Sequence, residues 1–318
     1  MNLLLCGATG YGNVGDDCIR DILADSVYSK FGDKVNITAT RPYPQKKLIE
    51  ESNLIVIGGG GLIYDSNQAN FDYYLMYAAE AYLESKPYAF IGIGLQELSD
   101  PKNISRLREA FRHSKVISVR QQADIDKLKK LDCYFENKTF LGKDIGYLIK
   151  PSKIKFTEKS NKPKIAIIPG HDFLNTEIYK DKIKLAVLNN MNAVDFYFIS
   201  TSYEDNDNIE ELRKIIDYNG SIRDFKYFRA STITSLLGEM DAVYTNRFHG
   251  VVFGVASGCK KVIGFGTKQK ILDELPQENI ATSFSEGFLN ILNTCKEIPF
   301  VKDRTHLNLL NGLISSMI

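Results

Sequence analysis

The chain has 318 residues, and at about 100–200 residues per domain that length predicts two domains whose cores need no cross-links. Hydrophobic residues at 44% beside charged residues at 25% exclude wholesale disorder. Forty Lys+Arg against 39 Asp+Glu leave a net charge of +1, which excludes a protein built mainly on nucleic-acid backbones, and no apolar run approaches the roughly 18 residues of a membrane span.

The opening Leu3-Leu4-Leu5-Cys6-Gly7 has the look of a lipoprotein cleavage site, but no basic start precedes it. Its apolar run also falls short of the roughly 7–15 residues a secretory signal needs. The expectation is a buried first strand over Asn2–Cys6. Strands are then predicted at Val35–Ala39, Leu54–Ile57, Tyr88–Ile93 and Val116–Val119, separated by helices. The clearest helical pattern has Phe71, Tyr74, Leu75, Ala78, Ala79, Tyr82 and Leu83 recurring at three- and four-residue steps. Residues 150–164 change character: KPSKIKFTEKSNKPK carries six lysines and a proline near each end, the pattern of a solvated linker.

Alternation then restarts, with strands predicted at Ile165–Ile168, Val194–Ile199, Phe225–Phe228, Ala242–Thr245 and Lys261–Phe265. Helices are predicted at Phe288–Leu292 and Leu307–Met317, and the acidic run Glu204 to Glu211 suits a helix start, where carboxylates complement the dipole. Strands alternating with helices imply parallel sheets covered on both faces. The predicted fold is α/β, two Rossmann-like doubly wound domains facing a cleft: 1–150, a linker at 151–163, and 164–318. Cys6, Cys18, Cys133, Cys259 and Cys295 are odd in number and form no CxxC pair, which fits reduced thiols in a cytoplasmic protein.

Three glycine-rich turns are expected to follow strands: Gly7 through Asp17, Gly58-Gly59-Gly60-Gly61, and Gly92-Ile93-Gly94. In open α/β sheets ligands sit beyond the carboxyl ends of strands, where glycine lets backbone approach closely. A GxGxxG match exists at Gly10-Tyr11-Gly12-Asn13-Val14-Gly15, but the second strand ends Thr38-Ala39-Thr40-Arg41 without the ribose-binding acid of a dinucleotide site. Asp16 and Asp17 beside this loop would repel a pyrophosphate and suit hydroxyl groups. Helix N-capping by either carboxylate is equally compatible with the spacing.

In the second half, Asp241 through Gly250 runs from a strand into a helix. Arg247 and His249 are two apart, so in an extended stretch they point the same way, at a helix amino end that favours an anion. Arginine offers a planar fork for phosphate or carboxylate, and histidine exchanges protons near neutral pH. Arg120 and Lys268 also close strands, while His171 follows Ile168-Pro169-Gly170. Histidines and carboxylates do not cluster at ligand spacing, so no metal is expected.

With these landmarks the chain resembles the polysaccharide pyruvyl transferase family over nearly its whole length. The matching residues are Gly10-Tyr11-Gly12-Asn13-Val14-Gly15-Asp16-Asp17, Ile57 through Gly61, Gly92-Ile93-Gly94, Ser118-Val119-Arg120, Asp144, Asn246-Arg247-Phe248-His249-Gly250 and Lys268. It departs from the family at Asp17, commonly glutamate. Gln121-Gln122-Ala123-Asp124 replaces an acidic-x-x-serine stretch, and Phe265-Gly266-Thr267 replaces a tyrosine-aspartate-proline.

The resemblance implies a glycosyltransferase-B-like fold, phosphoenolpyruvate as donor, and a pyruvate ketal on a sugar as product. It also implies no cofactor beyond that co-substrate. By the same resemblance Arg247, His249, Lys268 and Arg120 match donor positions, and the chemistry of ketal formation makes His249 the expected general acid. The glycine-rich strand ends themselves point to Asp16 as the catalytic residue on the acceptor side and to Gly12, Asn13, Gly59 and Gly60 as substrate-binding. The acceptor side falls to the N-terminal half and the phosphoenolpyruvate side to the C-terminal half. The expected partners are phosphoenolpyruvate and a sugar or lipid-linked saccharide acceptor, through which the protein would meet the membrane peripherally; nucleic acid is not among them. Two alternatives stay open: a nucleotide-sugar-dependent glycosyltransferase of the same shape, and a non-catalytic sugar-binding relative.

Overall fold

A computed structural model describes residues 1–40, 45–156, 160–170, 177–216, 222–225, 228–265, 269–281 and 294–318. The chain forms two compact α/β units. The first contains strands β1 (Asn2–Cys6), β2 (Asn36–Thr40), β3 (Leu54–Ile63), β4 (Tyr88–Leu95), β5 (Ile117–Val119) and β6 (Thr139–Leu141). They pair in parallel in the order β2-β1-β3-β4-β5-β6.

Burial on both faces explains the near-continuous apolar strands. Leu4 and Cys6 of β1 pack with Tyr74 and Phe111 on one face, while Leu3 and Leu5 pack with Ile19 and Leu23 on the other. Each fully buried leucine or phenylalanine contributes about 1.5–3 kcal/mol. Local chemistry sets helix starts: the Asp100 side chain accepts from Lys102 N at 2.9 Å, with Pro101 in the first turn of the helix Pro101–His113.

The second unit contains β7 (Lys164–Ile168), β8 (Asp195–Ile199), β9 (Ile222–Phe225), β10 (Ala242–Thr245), β11 (Val262–Phe265) and β12 (Ile280–Ala281). Their order is β12-β11-β10-β7-β8-β9, again parallel. One face buries Ile165, Ile167, Phe196, Phe198 and Tyr244 against Ile183, Val187 and Leu212. Strand order therefore reverses between β1 and β3 in the first unit and between β7 and β10 in the second. Such reversals open a crevice at the carboxyl ends of the flanking strands, where α/β proteins hold ligands.

Several sequence expectations need correction. The glycines of Gly58–Gly61 and Gly92–Gly94 lie inside β3 and β4, not in turns after them. The β3–β4 ladder continues through them with a register shift between Gly60 and Ile63. A strand lies at Ile222–Phe225 and meets the predicted Phe225–Phe228 at Phe225, while residues 226 and 227 lie outside the described residues. Thr139–Leu141 and Ile280–Ala281 are strands too short to carry a periodic signal. The predicted helix Phe288–Leu292 lies outside the described residues.

The units also interleave in sequence. Gly12–Gly15 groups with the second, together with Ile149–Lys302, and Asp303–Ile318 groups with the first. The helix Thr305–Ser315 buries Leu307, Leu310 and Ile314 with Leu3, Leu5 and Ile19, so it completes the first core rather than ending the second. His306 anchors it: Nδ1 lies 2.9 Å from Ser118 Oγ, which accepts from Gly92 N at 2.9 Å. Burial pushes this imidazole below its ordinary pKa, against the pull of Asp144 and Asp303.

Candidate active site

At the β7/β10 reversal, short side chains tie the two strand ends together. Thr245 Oγ1 donates to Ile168 O at 3.1 Å and accepts from Arg247 N at 3.0 Å. Asn246 Oδ1 accepts from Gly170 N at 2.5 Å. The helix Phe248–Ala256 starts immediately beyond, with Arg247 as its extended N-cap and His249 in its first turn. The expected extended spacing of these two residues is thus replaced by a cap-and-helix arrangement.

Arg247 is ion-paired with a residue whose sequence context shows only a helix-start charge run. Its Nε lies 3.1 Å from both carboxylate oxygens of Asp205, and Nη2 bonds Oδ1 as well. Asp205 is 0% exposed, whereas Glu204, 3.7 Å from Nη2, stands largely in solvent. Burial pushes the Asp205 carboxyl up, and Arg247 opposes that shift. Nothing in the local spacing announces a partner 42 residues away.

His249 packs against Gly15. A Cβ on Gly15 would stand 1.9 Å from His249 Nδ1, so only glycine admits the ring there. Phe248 meets the imidazole edge-on at 5.6 Å, and Phe253 stacks at 5.9 Å. The glycine segment is held by Val14 N donating to Thr201 O at 2.9 Å, Tyr203 N donating to Gly12 O at 3.1 Å, and an Asn13–Ser202 bridge. Gly12 has φ +77, and the Tyr203 ring crosses 1.6 Å from where its Cβ would be. Asn13 Oδ1 accepts from Gly15 N at 3.0 Å, capping the helix Val14–Phe31.

At the first unit's β1/β3 reversal the two aspartates separate in role. Asp17 Oδ1 accepts from Gly10 N at 2.8 Å and pairs with Arg20 Nη1 at 3.1 Å, closing the loop. Asp16 turns toward β3, with Oδ1 2.8 Å from the Cβ position of Gly60, a residue at φ +100. Tyr64, just past the end of β3, has its phenol pushed up by burial and then by Asp16. Gly59 makes room instead for Ile19, whose Cγ2 lies 2.1 Å from its Cβ position.

Arg120 is not a surface cation. It is 3% exposed, and Nη1 lies 2.9 Å from Asp144 Oδ2. Its guanidinium lies across two glycines: Nε is 2.5 Å from the Cβ position of Gly94, and Nη2 is 3.1 Å from that of Gly61. Those strand glycines therefore seat the Arg120 guanidinium against β3 and β4. Lys268 and His171 lie outside the described residues. Among the described residues, no group of three or more His, Cys, Asp or Glu is placed to hold a metal. Among them too, no helix is long and apolar enough to cross a membrane.

Two parallel-sheet Rossmann-like domains, each with polar residues at its strand-order reversal, define a protein of the glycosyltransferase-B-like class. UDP-GlcNAc 2-epimerase from Methanocaldococcus jannaschii is similar at TM-score 0.64 and 10% identity, covering 99% of this chain and 100% of that one. The Neisseria meningitidis UDP-GlcNAc 2-epimerase bound to UDP-GlcNAc matches at TM-score 0.62 and 11% identity, covering 99% and 100%. Anabaena HepE in complex with UDP and glucose matches at TM-score 0.56 and 12% identity, covering 93% and 89%. These likenesses establish the fold alone. No curated protein sequence matches significantly. The family model for polysaccharide pyruvyl transferase matches residues 13–267, and the chain belongs to that family.

Proposed function

We propose that this protein moves pyruvate from phosphoenolpyruvate onto two hydroxyls of one sugar in a cell-envelope polysaccharide or its precursor, forming a ketal. The observation that carries this reading is the pairing of Arg247 and His249 at the β7/β10 reversal, against the glycine segment Gly12–Gly15, in a member of this family. Phosphoenolpyruvate carries a carboxylate and a phosphate. Arg247 and Lys268 hold these anions, and Arg120, balanced by Asp144, acts as a fixed part of the first unit's ligand edge.

His249 protonates the enol methylene carbon, which makes the adjacent carbon electrophilic. One sugar hydroxyl attacks that carbon and loses its proton. Phosphate leaves, taking the bridging oxygen, and the second hydroxyl attacks to close the ketal. The balance is phosphoenolpyruvate plus a diol giving ketal plus phosphate, so no cofactor is required. Incubation with phosphoenolpyruvate and a panel of glycosides is expected to yield a product heavier by about 70 Da, pyruvate less one water. Consumption of a UDP-sugar instead, with phosphoenolpyruvate untouched, would favour the glycosyltransferase alternative.

Asp16 serves the acceptor, accepting a hydrogen bond from a sugar hydroxyl at the β1/β3 reversal beside Gly60. Asp16→Asn is expected to raise the acceptor KM or lower turnover while phosphoenolpyruvate affinity stays within about threefold of wild type. Titrating each substrate separately checks this, and an equal loss of donor affinity would contradict the assignment.

A further inference from the structure

The Asp205–Arg247 pair has a use in the pyruvyl transfer proposed above, and its role rests on that reading. We propose that Asp205 is a positioning residue: it holds the Arg247 guanidinium in one orientation for an anionic group of phosphoenolpyruvate. The Nε–Nη2 edge is committed to both carboxylate oxygens. Asp205 itself is wholly buried, so the pair cannot rotate out into water. Its own amide donates to Ser202 O at 3.0 Å, Ser202 bridges Asn13, and Thr201 O accepts from Val14 N at 2.9 Å. The carboxylate that aims Arg247 therefore sits in the first turn of the helix Glu204–Ile216, directly after the residues Thr201, Ser202 and Tyr203 that grip the glycine segment packed against His249.

Two effects of the pair bear on catalysis, one on freedom and one on timing. An unheld arginine loses rotamer entropy when it binds an anion, and Asp205 removes that freedom in the folded protein. The carboxylate also offsets part of the positive charge, which weakens ground-state attraction while preserving aim. A preorganised cation acts most on the charge that develops as phosphate departs. Loss of Asp205 should therefore affect turnover more than donor affinity.

The test is a double-mutant cycle on the full chain with Asp205→Asn, Arg247→Ala and the combination. Single-turnover rate, phosphoenolpyruvate affinity and melting temperature are read for each. Asp205→Asn is expected to lower the wild-type rate by about tenfold or more while donor affinity moves less than about threefold. In the Arg247→Ala background it is expected to change the residual rate by less than about twofold. There it should also raise the melting temperature, because it neutralises a buried carboxylate that has lost its arginine.

Equal rate losses in both backgrounds, or an unchanged wild-type rate, overturn the proposal. So does failure of both Asp205→Asn and the combination to fold. If only the single variant fails to fold, Asp205→Glu decides: a lower rate with donor affinity kept supports positioning, and an unchanged rate overturns it. A wild-type protein that does not consume phosphoenolpyruvate refutes pyruvyl transfer itself. Consumption with additive variants refutes the positioning role alone.

Discussion

Replacement of His249 by alanine is expected to lower turnover by about 10²–10⁴-fold, the range of general acid–base catalysis. Folding should survive, because the ring is partly exposed at the start of a helix whose core residues Val251, Val252 and Phe253 are untouched. Phosphoenolpyruvate affinity should change little, since proton delivery is needed only in the transition state. Arg247→Ala differs in kind: it removes a charge-assisted contact and should weaken donor binding together with catalysis. Gly15→Ala supplies a second route to the same group. Its methyl would stand 1.9 Å from Nδ1, so the imidazole must move while remaining chemically intact. Circular dichroism and single-turnover rates check the His249→Ala and Gly15→Ala proteins together. A His249→Ala protein that keeps more than about a tenth of wild-type turnover is incompatible with the lower bound of that range, and His249 is then not the proton donor.

The second large effect is on stability. Arg120→Ala is expected to destabilise the protein by about 3–5 kcal/mol, because it leaves the Asp144 carboxylate buried without its countercharge. The Asp144 side chain is 1% exposed, so water cannot replace the guanidinium without opening the core. The Arg120 guanidinium also fills the space over Gly94 and Gly61, and its loss adds a cavity. Arg120→Met with Asp144→Asn should recover much of the loss by restoring volume and removing the charge. Denaturant unfolding of wild type and the two variant proteins measures this. A single-variant cost below about 1 kcal/mol would place the pair in the class of exposed ion pairs, contrary to its burial.

Arg247 and Arg120 divide cleanly in how far sequence alone reaches them. The position of Arg247 beside His249 is legible, because the apolar run Ala242–Thr245 and the helix behind it are local patterns. The Asp205 that grips Arg247 is not legible, nor is the burial of Arg120. The glycine stretches are recognisable as close-approach sites, but what approaches them is not: Ile19, Asp16 and Arg120 for the first unit, Tyr203 and His249 for Gly12 and Gly15. A glycine reports that space is needed and is silent about the occupant.

By itself the sequence determined two parallel sheets buried on both faces, their strand edges, and a histidine and arginine at the start of a helix. Each of these comes from periodicity over a few neighbouring residues. Only the tertiary structure decided that Gly12–Gly15 packs with the second unit and Asp303–Ile318 with the first. It alone paired Arg120 with Asp144, Arg247 with Asp205, and Ser118 with His306, across separations of 24, 42 and 188 residues. Burial strips water from both partners at a cost, so each group is stable there only because the other meets it, and no local pattern in either segment encodes which distant segment supplies that partner.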